Sequence, residues 1–222
     1  MGVFQQPASN MIAIIDYKAG NLTSVQRALA SLGRRSLITR VPAEIAEAER
    51  IIFPGVGAAG RAMADLKEMQ LDRVLIDSFR RGKPILGICL GTQIIMERSD
   101  ENQTECLGLI KGEVVRFPED LSDGCGTRLK VPHMGWNRVA FKKSHPVVQG
   151  IDPESEFYFV HSYYPKPANP DQVLGETSHG ILFASVLANK NLVAVQFHPE
   201  KSGRAGLSLL SNFCEWKGGA DA

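Results

Sequence analysis

Through the first hundred residues, short apolar runs alternate with stretches whose apolar positions recur every three or four residues. Residues 11–15 form a compact apolar run closed by Asp16. Leu22, Val25, Ala28, Leu29 and Leu32 then share one helical face, with Asn21 placed to cap that helix and Gly33 to stop it. Residues 50–53 predict a buried strand. Helices are predicted at 61–69 and 71–81, the second ended by Gly82. Residues 84–88 are again an apolar strand, followed by a predicted helix over 91–98. Strands separated by helices imply parallel β-α-β units. The charged run 44–50 reads as a solvated helix face.

Extended patterns dominate the second half. Residues 113–117, 137–142, 156–161, 181–187 and 192–197 predict strands, and a last helix is predicted from about 204 to 216. The expected fold is α/β, a mostly parallel open central sheet with helices on both faces and antiparallel strands added late. Residues 11–217 read as one domain, and the polar residues 1–10 as a flexible extension. In such sheets ligands bind beyond the carboxyl ends of the strands, where Asp16, Pro54, Cys89 and His198 fall.

Composition narrows the classes. With 44% hydrophobic and 22% charged residues, the 222-residue chain is neither disordered nor a coiled coil. Lys plus Arg total 25 against 24 Asp plus Glu, and this net +1 gives no electrostatic reason to seek nucleic acid or an anionic membrane. No apolar run approaches the roughly 18 residues of a membrane span, and the N-terminus lacks a signal-peptide pattern. Cys89, Cys106, Cys125 and Cys214 form no C-x-x-C pair, which argues against a zinc site. A cytoplasmic location is expected, with no metal or organic cofactor.

The strongest chemical signal is Gly87-Ile88-Cys89-Leu90-Gly91, between an apolar strand and a helix. G-x-nucleophile-x-G is the nucleophile elbow, here with cysteine. The helix N-terminus behind Cys89 is expected to favour its thiolate, and the Leu90 N–H can stabilise an oxyanion. Gln196-Phe197-His198-Pro199-Glu200 closes another strand. Residues two apart on a strand share a face, so His198 and Glu200 are expected side by side, the base and orienting carboxylate of a Cys-His-acid triad. Upstream, Gly55-Val56-Gly57-Ala58-Ala59-Gly60 matches G-x-G-x-x-G. A dinucleotide site also needs an acid about 20 residues on, at the end of the next strand, and Asp77 lies inside a helical stretch instead. The loop can equally offer N–H groups to an oxyanion. His161 falls at a strand end, as a pocket residue or a core histidine. Met134 and Trp136, beside His133 among loop formers, read as core packing or as an exposed patch for a partner. His145 and His179 read as surface loop residues.

Taken together, the G-x-C-x-G elbow, the glycine-rich loop and the late H-P-E resemble the class I (triad) glutamine amidotransferases over nearly the whole chain. Asp16-Tyr17-Lys18-Ala19-Gly20-Asn21, Val131-Pro132-His133-Met134-Gly135-Trp136-Asn137, the segment 157–164 and Gln196 to Gly203 narrow the resemblance to the glutaminase subunits of imidazole glycerol phosphate synthase, enzymes of histidine biosynthesis. The sequence departs from that pattern at Lys18 (usually Gly), Ala59 (usually Phe) and Thr92 (usually Met), all flanking the expected active centre.

The resemblance implies that Cys89 attacks the side-chain amide of glutamine, with His198 and Glu200 completing the triad. Leu90, Val56 and Gly57 would line the oxyanion hole, and Gln93, Ser162 and Tyr163 would hold the substrate glutamine. Ammonia would pass to a (β/α)8-barrel cyclase/synthase subunit in a heterodimer, docked on Asn21, Pro132, Met134, Trp136 and Lys201. The glycine-rich 54–57 loop can hold its N–H groups away from the oxyanion until a partner docks, so the isolated protein is expected to be weakly active. Competing readings are a glutaminase feeding another synthase, a partner-free cysteine hydrolase, and a binding module with a vestigial elbow.

Overall fold

The computed structural model describes residues 10–18 and 20–219. The predicted extension, apart from Asn10, lies outside the described residues. The elements run β1 (Ile12–Ile15), α1 (Leu22–Ser31), β2 (Ser36–Thr39), α2 (Pro42–Glu47), β3 (Arg50–Gly55), α3 (Ala59–Glu68), α4 (Leu71–Arg80), β4 (Ile85–Cys89) and α5 (Leu90–Ile94). Then come β5 (Arg98–Ser99), β6 (Thr104–Glu105), β7 (Gly112–Arg116), β8 (His133–Arg138), β9 (Ala140–Phe141) and β10 (Glu156–His161). The chain closes with β11 (Tyr163–Pro167), β12 (Val173–His179), β13 (Ile181–Asn189), β14 (Leu192–Val195) and α6 (Gly203–Glu215).

Eight strands form the central sheet, in the order β2-β1-β3-β4-β14-β13-β12-β9. The first five are parallel, and β13, β12 and β9 extend the sheet antiparallel. The apolar runs explain the centre: every residue of β1, β3, β4 and β14 is buried, as strands covered on both faces require. Val25 and Leu29 of α1 and Leu209 and Phe213 of α6 cover one face. Ile45, Leu66 and Leu75, from α2, α3 and α4, cover the other. Smaller sheets, β10-β8 and β11-β7-β5-β6, flank the carboxyl end of the parallel strands. Among the described residues no helix is long and apolar enough to cross a membrane.

Several local expectations are corrected. The helix predicted over 91–98 stops at Ile94. Ile94, Ile95 and Met96 are all fully buried, so this stretch has no solvent face. The Ile95 carbonyl instead receives the N–H groups of Leu109 and Ile110, which turns the chain into β5. The charged run 44–50 is split: α2 ends at Glu47, and Arg50 opens β3 from a buried position. Its guanidinium donates to the carbonyls of Phe213 and Trp216 and pairs with Glu49. Residues 133–136, read as a loop, are strand β8, and β2, β11 and β12 went unread. Asn21 precedes α1 at φ +73 with no side-chain cap, because its amide is turned away to Glu200.

Candidate active site

Strand β4 delivers Cys89 to the carboxyl edge of the sheet, and α5 begins at the next residue. Cys89 holds φ +53, ψ −107, a strained conformation for a residue with a Cβ. The elbow closes only because residue 91 is glycine: a Cβ there would lie 1.9 Å from the Phe53 carbonyl oxygen. Gly91→Ala is therefore expected to destabilise the fold by about 2–3 kcal/mol through forced backbone displacement. Urea unfolding would measure it, and a variant as stable as the parent would contradict this packing.

His198 and Glu200 meet, but not across a strand face. Strand β14 ends at Val195, and a single 3₁₀ turn, Pro199–Lys201, brings Glu200 back to the ring. His198 Nδ1 lies 2.8 Å from Glu200 Oε1, with both side chains almost wholly buried. A carboxylate only accepts, so Nδ1 carries the hydrogen. Asn21 Nδ2 donates to the same Oε1. Nε2 makes no hydrogen bond of regular geometry and is left to interact with the Cys89 sulfur. Burial opposes charge on this ring, but Cys89 and Glu200 outweigh it, and the His198 pKa is pushed up to about 9.

Cys89 opens into a cleft of about 380 Å³. Val56 and Gly57, just past β3, form one wall, and Leu90 and Gln93 lie beside the sulfur. Opposite them, Ser162 and Tyr163 follow the end of β10. All six residues expected to form the oxyanion hole and hold the substrate thus gather around Cys89. The interface candidates sit differently. Pro132 is at the rim of the cleft, whereas Met134 and Trp136 project outward from β8, 63% and 54% exposed. Trp136 meets Tyr158 edge-on at 6.0 Å, and the Lys201 ammonium lies 5.8 Å from the centre of that tyrosine ring. Asn21 belongs as much to the triad as to a surface.

The sequence reasoning missed three side chains and one hydrogen-bonded chain, although it offered His161 as a pocket residue or a core histidine, and His161 does line the cleft. Glu101 lines the cleft and accepts the Ala59 N–H at 2.6 Å, at the start of α3. Gln196 is completely buried and donates to Cys89 Sγ at 3.8 Å. The Tyr17 hydroxyl is buried without a partner. It fills the space a Gly55 Cβ would need, 1.7 Å away, and burial together with nearby Cys89 holds its pKa well above the tyrosine range. Finally, Asn137 Nδ2 donates to His133 Nε2 (3.2 Å), His133 Nδ1 to His161 Nε2 (3.0 Å), and His161 Nδ1 to the Tyr163 carbonyl (2.8 Å). The carbonyl at the end fixes every tautomer in this chain. Both rings are neutral: burial, reinforced by neighbouring histidines, lowers His161 to about 3 and His133 to about 4. His179 stacks on His133 at 4.2 Å and is no isolated surface residue.

The departures at positions 18 and 92 have local accounts. Lys18 adopts φ +67, where glycine is favoured, and its ammonium ties the loop to α3 through Asp65 (3.2 Å) and Glu68 (3.1 Å). Thr92 Oγ1 donates to the Val195 carbonyl at 2.6 Å, joining α5 to the neighbouring strand. Among the described residues no cluster of three His, Cys, Asp or Glu side chains is arranged to hold a metal.

Comparison with known proteins agrees with this geometry. The family pattern Glutamine amidotransferase class-I matches residues 13–216. The chain belongs to the class-I glutamine amidotransferases. Among relatives of this amidotransferase, the imidazole glycerol phosphate synthase subunit HisH of Nitratidesulfovibrio vulgaris (strain Miyazaki F) is 52% identical over 203 residues, covering 91% of this chain and 95% of the relative. The HisH subunit of Methylococcus capsulatus is 50% identical over 210 residues, covering 93% and 96%. Two solved structures share the amidotransferase fold at low identity. A glutamine amidotransferase crystal structure superposes with TM-score 0.70 at 15% identity, covering 92% of this chain and 99% of the other. A putative GMP synthase component from Thermoplasma acidophilum gives TM-score 0.68 at 20% identity, with 92% of each chain covered.

Proposed function

We propose that this amidotransferase is the glutaminase subunit of an imidazole glycerol phosphate synthase, hydrolysing glutamine through a Cys89 thioester and passing ammonia to a (β/α)8-barrel partner in histidine biosynthesis. The observation that supports the reading is Cys89 opening into a cleft with the buried, hydrogen-bonded His198–Glu200 pair interacting with its sulfur, in a chain about half identical to HisH subunits.

The Cys89 thiolate attacks the side-chain amide carbon of glutamine. The N–H of Leu90 and a donor from Val56-Gly57 receive the oxyanion, where losing one donor typically costs about 10²–10³ in kcat. His198, held as an imidazolium by its neighbours, protonates the departing nitrogen as the thioester forms. The neutral ring then takes a proton from water, which attacks the thioester and releases glutamate. Gln93, Ser162 and Tyr163 hold the substrate, and the Glu101 carboxylate on the cleft wall suits its α-ammonium. Ammonia in water at neutral pH is mostly non-nucleophilic ammonium, so a chamber sealed by a partner preserves it. Pro132, Met134, Trp136 and Lys201 are the surface for that partner, and Asn21, bonded to Glu200, links it to the triad.

The test is glutamate release by the isolated protein and by its mixture with a barrel synthase and the phosphoribulosyl-type substrate. A slow basal rate that rises on complex formation is expected, with imidazole glycerol phosphate as product. A fast rate without the synthase, or indifference to it, would sink the reading.

A further inference from the structure

Buried carboxamides are costly unless their donors and acceptors are matched, and two stand directly behind the nucleophile. Gln93, on α5, is 5% exposed, and Gln196, just past β14, is fully buried. Their orientations follow from one fixed point. The Tyr163 carbonyl can only accept, so the group of Gln93 facing it at 3.0 Å is Nε2. The same nitrogen lies 3.2 Å from the Gln196 carboxamide and donates to its Oε1. Gln196 Nε2 is then compelled to face Cys89, 3.8 Å from Sγ. The order of donation, Gln196 to sulfur and Gln93 to Gln196, admits no flipped alternative that keeps the bonds.

We propose that Gln196 is a positioning residue for the nucleophile, its carboxamide N–H holding the Cys89 thiolate in attacking position, with Gln93 fixing its direction. The assignment rests on Cys89 being the nucleophile and deepens the glutaminase reading. The other groups around the sulfur do not replace this donor. The Val160 carbonyl, 3.9 Å away, can accept from a thiol and offers nothing to a thiolate. Tyr17 interacts with the sulfur through space and makes no hydrogen bond. Glu101, across the cleft, is an acceptor when ionised. His198 attracts the thiolate as a cation but must surrender its proton during turnover, and His161 nearby is neutral. The Leu90 N–H is committed to the oxyanion, and among the described side chains at the sulfur Gln196 is the one that offers it a donor that does not titrate. The same chain places Gln93 between the substrate wall at Tyr163 and the nucleophile, so occupation of the cleft can be felt at the sulfur.

The test is the pH profile of iodoacetamide alkylation at Cys89, followed peptide by peptide in the full-length chain, with exposed Cys125 as the internal reference. Gln196→Met keeps the side-chain length and removes donor and acceptor. It is expected to move the Cys89 midpoint upward by about one pH unit, a roughly tenfold loss of reactivity below it, while Cys125 is unmoved. Gln93→Met is expected to shift the midpoint in the same direction by less, since Gln196 keeps its donor but loses its fixed direction. It decides the matter alone should Gln196→Met not fold. An unchanged Cys89 profile overturns the proposal, even with a lowered melting temperature. Failure of the glutaminase reading is seen separately, as failure of glutamine to protect Cys89 in the wild-type chain.

Discussion

Cys89→Ala is expected to lower glutamine-dependent turnover of the synthase complex by about 10⁴-fold or more, while turnover on added ammonium salts stays within about twofold. The asymmetry follows from where the sulfur sits. In the proposed mechanism it is the atom on which the thioester forms, and in the alanine variant the remaining groups would bind glutamine and polarise its amide but could not split hydrolysis into two steps. On the proposed division of labour, the ammonia-fed reaction would take place in the partner and bypass the elbow. The replacement is small, so the heterodimer should still assemble. Cys89→Ser should behave nearly as badly, because a hydroxyl is a far weaker nucleophile than a thiolate. Unimpaired glutamine turnover would establish the elbow as vestigial. Loss of both activities would instead indicate failed docking. Paired measurements with glutamine and with ammonium separate these outcomes in one preparation.

The legible parts of the site are those whose geometry is imposed over a few neighbouring residues. A Gly-x-Cys-x-Gly turn allows little besides an elbow, because Gly91 must pass within contact of the Phe53 backbone. His198 and Glu200 were also within reach, though by a different local route: the sequence suggests a shared strand face, whereas the chain uses a 3₁₀ turn to form the same 2.8 Å contact. The central sheet was legible because strands buried on both faces are continuously apolar. Contacts between distant segments were not. Gln196 touches Cys89 across 107 positions, and Asn21 reaches Glu200 across 179. Asn21 reads from sequence as a helix cap, which is a sound local preference. Here a buried carboxylate outcompetes the helix end for its amide. Glu101 carries no pattern of its own and acquires meaning only when the turn after β5 sets it on the cleft wall. Helix α5 was overextended because Ile94, Ile95 and Met96 lack the polar face that would have revealed where periodicity stops.

The histidine chain behind the cleft should dominate acid sensitivity. Lowering the pH from 7 to 5 is expected to remove about 2 kcal/mol of stability for each of His133 and His161, on the order of 4 kcal/mol together. Both fold with pKa values below the ordinary histidine value of 6.5, at about 4 and about 3. Between 6.5 and those values the unfolded chain binds protons that the native chain refuses, so stability falls as pH falls. Geometry supplies the reason for the refusal. His161 Nε2 already accepts from His133 Nδ1, and His133 Nε2 already accepts from Asn137, so an added proton on either ring would point donor at donor. His198 runs the other way. Its value of about 9 means that its contribution is fully present below 6.5 and declines as pH rises through 9. The two trends place maximal stability near pH 6.5–7, and the acid limb belongs chiefly to the histidine pair, with His145, whose pKa burial also lowers, adding in the same direction. Urea unfolding at pH 7 and pH 5 measures the limb, and His133→Asn should remove about half of it, roughly 2 kcal/mol, by deleting one titrating ring. Equal stability at the two pH values, or an acid limb untouched by His133→Asn, would show that these rings accept protons in the folded chain and that the donor order drawn from Asn137 to Tyr163 is wrong.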